Sequence, residues 1–97
     1  MSYDKLIFRV HAIQRMFERD ISEVEVRDVL ENGEMIEEDS SHQPHPKRLM
    51  LGFCGTGKAI RPVHVLSTDD PDLQATIIVT VYEPDPKRWD TAFKQRR

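Results

Sequence analysis

The spacing of apolar and polar positions predicts two helices near the start of the chain. Apolar residues recur at helical spacing between His11 and Arg19, and the first helix should end near Asp20. The side of this helix that should face the core is formed by Ala12, Ile13, Met16 and Phe17. Residues 5–10 before it are mostly apolar, and their pattern allows either an extended segment or the first turns of a helix.

A second helix has a sharply marked start. Ser22 and Glu25 have the spacing of a capping box, in which each side chain bonds the backbone N–H of the other. We expect Gly33 to end this helix, because glycine readily adopts positive φ. The predicted buried stripe consists of Val26, Val29 and Leu30.

After residue 33 the period shortens to the alternation of β-strands. A short strand is predicted at 34–37, a polar loop at 39–47, and a strand in which Leu49, Leu51 and Phe53 alternate. A glycine turn at 55–57 then leads to a strand that should carry Val63 and Val65 on one face and His64 on the other.

The strand at 75–82 is β-branched almost throughout and should lie inside the sheet. Strict alternation predicts that one face carries Ala75, Ile77, Val79 and Val81, and the other Thr76, Ile78, Thr80 and Tyr82. Two prolines, Pro84 and Pro86, should end the sheet, with Trp89 and Phe93 folding back as apolar anchors.

These elements predict an α+β fold, with an N-terminal helical hairpin packed on a four-stranded antiparallel sheet. The 97 residues should form a single domain, 1–97. Cys54 is the only cysteine, so no intramolecular disulfide can form, and no signal peptide or membrane span is apparent. The expected location is the cytoplasm.

No cofactor or metal is predicted. The segment 52–58 has P-loop spacing, but Ala59 stands where Ser or Thr must hold magnesium, so an NTPase is excluded. His42 and His45 lie in a proline-containing loop that offers a metal no rigid support.

The net charge is −3, but it is unevenly distributed. Residues 1–40 contain 11 acids and 5 bases, whereas residues 41–97 contain 6 acids and 9 bases, so the two parts carry −6 and +3. A local basic groove is therefore compatible with the acidic total. The acidic run at 34–39 should either face water or receive a basic partner.

Two groups of residues could carry chemistry. The first helix places His11, Arg15 and Arg19 on one face that could hold a phosphate, although a solvated helix face has the same pattern. His64 has a fixed position within a strand and could be functional or simply a half-buried, hydrogen-bonded histidine. Thr80 and Tyr82 are equally ambiguous, because strands favour such residues whatever their role.

The chain resembles a bacterial family of unknown function that carries a His-Ala-x-x-Arg-Met-x-x-Arg-x-Ile-Ser signature, here His11 to Ser22. The resemblance continues through Leu49 to Gly52, the pair His64 and Val65, and the ending Thr80 to Trp89. It departs from the family at Asp20, where the usual residue is glycine.

This family is similar to small bacterial toxin ribonucleases of the RelE kind, which are encoded beside an antitoxin. The resemblance implies a RelE-like fold, an RNA substrate, and a small cognate antitoxin as a partner. Its implied catalytic positions are His11, Arg15, His64, Thr80 and Tyr82, and its implied substrate-binding positions are Arg19, Arg61 and Arg88.

The leading hypothesis is a metal-independent endoribonuclease, in which the RNA 2′-hydroxyl attacks the adjacent phosphate. His11 or His64 would move the proton and Arg15 would stabilise the charge. The alternatives are a non-catalytic RNA- or protein-binding module, or a structural protein. The nuclease hypothesis as stated requires His11 and Arg15 to open onto the same cavity as Thr80 and Tyr82.

Overall fold

A computed structural model describes residues 3–41 and 45–97 of the chain. Two helices pack on one face of a five-stranded mixed sheet with the strand order β1-β5-β4-β3-β2. The elements are β1 (Leu6–Phe8), α1 (Val10–Arg19), α2 (Glu23–Asn32), β2 (Glu34–Asp39), β3 (Lys47–Cys54), β4 (Arg61–Asp70) and β5 (Ala75–Tyr82). A single 3₁₀ turn, Gly57–Ala59, lies between β3 and β4.

The α+β class is confirmed, but the prediction of a four-stranded antiparallel sheet is wrong. The fifth strand is β1, which pairs with β5 in parallel. It lies within residues 5–10, for which the sequence pattern allows either an extended segment or the first turns of a helix. Parallel pairing is geometrically allowed because the connection between β1 and β5 contains the rest of the fold, from α1 to β4. The other three strand pairs are antiparallel.

The end of α1 and the start of α2 both follow from local chemistry. Asp20 ends α1 in the left-handed conformation, with φ 54°. The capping box at the start of α2 is formed as predicted, with the Glu25 amide donating to Ser22 Oγ at 3.1 Å and the Ser22 amide donating to Glu25 Oε1 at 3.0 Å.

Gly33 ends α2 for a reason other than the predicted one. Its φ is −78°, so no positive φ is required there. A Cβ at this position would collide with the backbone carbonyl oxygens of Val29 and Leu51. Glycine is therefore needed for the close approach of α2 to β3.

The core lies between the helices and the sheet face that they cover, which we call the helix face. It contains Ala12, Ile21, Val26, Val29, Leu30, Cys54, Val63, Val65, Ile78 and Val81. The predicted stripe of α2 is confirmed. The prediction for α1 is wrong for Ile13 and Phe17, which are 52% and 90% exposed.

A bulge in β5 also changes the predicted faces of that strand. Leu66 pairs with Thr80 and Ser67 with Ile78, so Val79 is an extra residue. The bulge places Ile78 and Val81 together in the core, although strict alternation assigned them to opposite faces.

No helix in the described residues is long and apolar enough to cross a membrane.

Replacing Ser67 should stabilise the protein. Ser67 is fully buried, and its Oγ has no hydrogen-bond partner among the residues that the structure describes. Ser67→Ala removes this unsatisfied hydroxyl and should raise the free energy of unfolding by about 1 kcal/mol, as measured by urea denaturation. Thr76→Val is the control, because the Thr76 hydroxyl is buried but donates to Asp69 at 2.8 Å, so its loss should be destabilising. Destabilisation by Ser67→Ala would contradict the assignment.

Candidate functional site

The predicted site residues do not lie in one place. His64 pairs with Tyr82, and Leu66 with Thr80, across the β4–β5 ladder, so His64, Thr80 and Tyr82 share one face. Val81, between the last two, points to the core on the opposite side. These three residues therefore lie on the sheet face opposite the helices, which we call the tail face.

The tail face is covered by the C-terminal tail, residues 83–97. Trp89 is only 3% exposed and packs edge-on against His64, with ring centroids 4.5 Å apart. The Arg96 guanidinium lies over the Trp89 ring, with its central carbon 4.6 Å from the ring centroid. The predicted role of Trp89 as an anchor is confirmed.

Two ion pairs connect the tail to β2. Lys94 Nζ lies 3.1 Å from Glu34 Oε1, and Arg96 Nη2 lies 3.2 Å from Glu37 Oε1. Part of the acidic run in β2 is therefore paired with basic residues of the same chain. The sequence alone predicts only that this acidic run faces water or binds a basic partner.

His64 is completely buried between the sheet and the tail, and both of its ring nitrogens have partners. Nε2 lies 2.9 Å from the Phe93 carbonyl oxygen, and Nδ1 lies 3.2 Å from the Tyr82 hydroxyl. Because a carbonyl can only accept, we assign the proton of the neutral ring to Nε2. Nδ1 then accepts a hydrogen bond from the Tyr82 O–H.

Burial determines the charge state of this pair. It lowers the pKa of His64 from its ordinary value of 6.5, and the hydrogen bond to the Phe93 carbonyl opposes this only in part. Burial also raises the pKa of Tyr82, with the Arg96 charge acting in the opposite direction. At neutral pH the pair therefore consists of an uncharged imidazole and a protonated phenol.

A cavity of about 320 Å³ opens beside this pair. Its lining consists of Tyr82, Glu83, Asp85, Arg88, Trp89 and Arg96. Within the described part of the chain, the Arg88 side chain makes no hydrogen bond or ion pair. We call this space the tail cavity. It brings together two predicted residues, Tyr82 and Arg88, with His64 directly behind the tyrosine.

His11, Arg15 and Arg19 lie elsewhere. They are exposed on α1, whose inner side packs on the helix face. Arg15 pairs only weakly with Glu18, at 3.5 Å. No residue of α1 lines the tail cavity, and the body of the sheet separates His11 and Arg15 from it. The Arg19 backbone lies nearer its rim, because Arg61 donates both to the Arg19 carbonyl and to Glu83, which lines the cavity. The structure therefore does not form the common cavity that the nuclease hypothesis required.

Arg61 was predicted to bind substrate, but its donors are already used within the fold. Its guanidinium donates to the carbonyl oxygens of Arg19 at 2.7 Å and Asp20 at 2.6 Å. It also pairs with Glu83 at 2.9 Å. These contacts fasten the turn between the helices to the end of the sheet.

The remaining reactive groups do not form a second centre. Among residues 3–41 and 45–97, no three His, Cys, Asp or Glu side chains are grouped to hold a metal. His42, considered above as a metal ligand, lies outside the described residues. Burial raises the pKa of the Cys54 thiol, and the charges of Glu25 and Asp28 add to this, so the thiol stays protonated.

Sequence reasoning missed Glu37 and Arg96 as parts of the site, and it predicted Phe93 only as an apolar anchor and not as the partner of His64. The Phe93 contribution is a backbone carbonyl, which no side-chain pattern reveals. A usable signal for Arg96 is the concentration of basic residues around the only tryptophan near the end of the chain.

Residues 8–83 match the family model described as "Domain of unknown function (DUF4258)". The chain belongs to the DUF4258 family. Comparison with curated proteins and with solved structures gave no match. That the chain belongs to a family of unknown function is thereby confirmed, whereas the signature at residues 11–22 and the similarity to RelE-like toxins stay predictions.

The match defines which part of the site belongs to the DUF4258 domain. His64, Thr80 and Tyr82 lie inside the matched range, whereas Trp89 and Arg96 follow it. The tail cavity is therefore built where the DUF4258 domain meets the segment that comes after it.

The burial of His64 predicts acid sensitivity in this DUF4258 chain. As the pH falls through about 6.5, the unfolded chain takes up a proton that the folded chain resists, because the pKa of His64 is lowered by folding. This contribution to the free energy of unfolding is complete above pH 6.5 and decreases below it. Urea denaturation followed by Trp89 fluorescence at several pH values measures this loss.

His64→Phe should reduce the pH dependence of unfolding, because the phenyl ring has no nitrogen that could take up a proton in the unfolded chain. An unchanged pH dependence in His64→Phe would contradict the proposed protonation state. Because the unmodified protein and the variant are compared with each other, the contributions of carboxylates that titrate in both proteins cancel.

Proposed function

We propose that this DUF4258 chain is an RNA-binding module and that its tail face holds single-stranded RNA. The observation that carries the proposal is the distribution of charge. Residues 87–97 contain five basic residues and one acidic residue, a net charge of +4, whereas the whole chain carries −3. The remainder therefore has a net charge of −7, so residues 87–97 are the main cationic segment. Glu83 and Asp85 reduce the net charge of the whole tail, residues 83–97, to +2.

Arg88 supports the proposal because its side chain is exposed and carries no ion pair in the described structure. A guanidinium in this state can bind a phosphate through two parallel hydrogen bonds. By contrast, Lys94 and Arg96 are already paired with glutamates of β2. We therefore assign the first phosphate contact to Arg88.

The shape of the tail cavity favours single strands over duplexes. At about 320 Å³ it is near the lower end of the range for small-ligand pockets, and it can receive one nucleotide but not a helix. Proteins that recognise single-stranded RNA hold splayed bases against aromatic or guanidinium planes. The half-buried Tyr82 and the Arg96 guanidinium are such groups at this cavity.

Arg88→Ala should weaken binding of a fluorescently labelled single-stranded RNA. We expect the dissociation constant to rise about threefold to tenfold. The slope of log K against log salt should become shallower by the amount that corresponds to the loss of about one phosphate contact. Fluorescence anisotropy at several salt concentrations measures both quantities. Arg15→Ala is the matched control, because Arg15 is an exposed arginine on the other side of the sheet.

A loss in Arg15→Ala equal to that in Arg88→Ala would contradict the assignment of the tail face. Absence of salt-dependent RNA binding by the unmodified protein would contradict RNA binding altogether.

A second candidate function, metal-independent RNA cleavage, is favoured by the hydrogen bond between Tyr82 and His64. The Tyr82 oxygen could accept the proton of an RNA 2′-hydroxyl while its own proton passes to His64 Nδ1. The 2′-oxygen would then attack phosphorus, Arg88 would stabilise the added charge, and the departing 5′-oxygen would take a proton from water. The chain would then be the toxin of a pair whose partner is a small antitoxin.

RNA binding ranks above cleavage for a physical reason. Accepting a proton would create a buried imidazolium at His64, and burial lowers the pKa of this residue. The second histidine of the original hypothesis, His11, lies away from the tail cavity, so no exposed acid–base pair is assembled there.

Tyr82→Phe separates binding from cleavage. If Tyr82 transfers the proton, this change should reduce the rate of RNA cleavage about 10²- to 10³-fold and leave the dissociation constant for RNA within about twofold. Tyr3→Phe is the control, since Tyr3 is the only other tyrosine in the chain. Purified Tyr82→Phe that cleaves RNA as fast as the unmodified protein would rule out this mechanism.

A further inference from the structure

The outer side of α1 exposes a line of apolar residues that the fold leaves uncovered. Val10, Ile13 and Phe17 are 70%, 52% and 90% exposed, and their spacing of three and four residues places them along one side of the helix. We call these three residues the apolar stripe. An isolated exposed apolar residue is ordinary, but three in line form a continuous surface.

A groove of about 670 Å³ runs along the apolar stripe, and Ile13 and Phe17 form part of its lining. Phe8, Met16 and Ile21 contribute its apolar wall, and Asp20 and Glu23 contribute two acidic side chains. Phe17, which is 90% exposed, therefore lies at the rim of a recess that is large enough to receive a second phenyl ring.

We propose that the occupant of this groove is a second copy of the same chain, with the two α1 helices antiparallel. A surface that carries both a projection and a matching recess can pair with itself about a two-fold axis. Phe17 of each copy would enter the groove of the other, and each phenyl ring would be removed from water.

Charge complementarity supports the antiparallel arrangement. Arg9 lies at the beginning of α1, and the acidic groove residues Asp20 and Glu23 lie at its other end. Glu23 also makes an exposed contact of 3.6 Å with Arg27 in its own helix, which contributes little in water and leaves most of its charge available. Antiparallel pairing brings Arg9 of each copy to the acidic end of the other, and it also opposes the two helix dipoles. Parallel pairing would instead place like charges together at both ends.

Self-association by this surface does not depend on the proposed RNA binding. The apolar stripe belongs to α1, on the helix side of the sheet, whereas the tail cavity is on the opposite side. Both tail cavities of a dimer would therefore remain open.

Sedimentation velocity of the full chain between about 1 μM and about 1 mM tests the proposal, because weak dimers of small domains dissociate within this range. We expect the sedimentation coefficient to increase with concentration toward that of a dimer. Phe17→Glu should raise the dissociation constant about a hundredfold or more, since two phenyl contacts are lost for each dimer. A chain that stays monomeric throughout the range would overturn the proposal.

Leu73→Glu is the matched control for Phe17→Glu. Leu73 is 52% exposed in the β4–β5 turn, away from α1, so this variant should dimerise as the unmodified protein does. The melting temperature of monomeric Phe17→Glu should also be unchanged, because Phe17 is 90% exposed within one chain. Equal loss of dimer in both variants, or a lower melting temperature for Phe17→Glu alone, would contradict the proposed surface.

A charge exchange tests the antiparallel geometry. Arg9→Glu and Glu23→Arg should each weaken self-association, because each sets like charges against one another. Since Glu23→Arg also replaces the 3.6 Å contact with Arg27 by a repulsive pair, the melting temperature of this variant is measured alongside. Mixing the two variants should restore self-association, since both ends of the mixed dimer then carry opposite charges. Glu23 is preferable to Asp20 for this exchange because Asp20 has φ 54°, a conformation that arginine adopts less readily. A mixture no stronger than its components would overturn the antiparallel arrangement.

Discussion

The arrangement of the tail face depends on one buried side chain, His64. A neutral imidazole has one donor and one acceptor, and leaving either without a partner in a buried position would cost about 1–3 kcal/mol. The Phe93 carbonyl satisfies the donor and the Tyr82 hydroxyl satisfies the acceptor. These two bonds fix the path of the tail across the sheet and the orientation of the phenol at the cavity.

The ion pairs between the tail and β2 have a different role from the buried contacts. Their side chains remain partly exposed, so each pair contributes little free energy in water. Trp89, by contrast, is removed almost completely from water, and burial of its ring is the larger stabilising contribution. We infer that Trp89 and His64 hold the tail, while Lys94 and Arg96 align it with the acidic strand.

The sequence was informative where structure is decided by neighbouring residues. The capping box at Ser22, the end of α1 at Asp20 and the opposite faces of Val65 and His64 depend on contacts within a few positions, and the structure confirms them. The three-residue strand β1 could not be recognised, because its pairing partner is about seventy positions away in β5. The bulge at Val79 likewise depends on the register against β4 and leaves no local signal.

The candidate site shows the same limit in a sharper form. Helical periodicity correctly grouped His11 with Arg15, and strand alternation grouped Thr80 with Tyr82, but a period states only which residues share a face. Which element covers that face is a matter of tertiary packing, and here α1 and the tail cover opposite sides of one sheet. Because the sheet is one layer thick and its core side is filled by apolar residues, side chains on the two sides cannot meet across it. Two polar clusters that each satisfy a chemical pattern therefore belong to two separate surfaces. Within the described structure, the cluster beside the tail is the one that lines a cavity and combines a phenol with a guanidinium there.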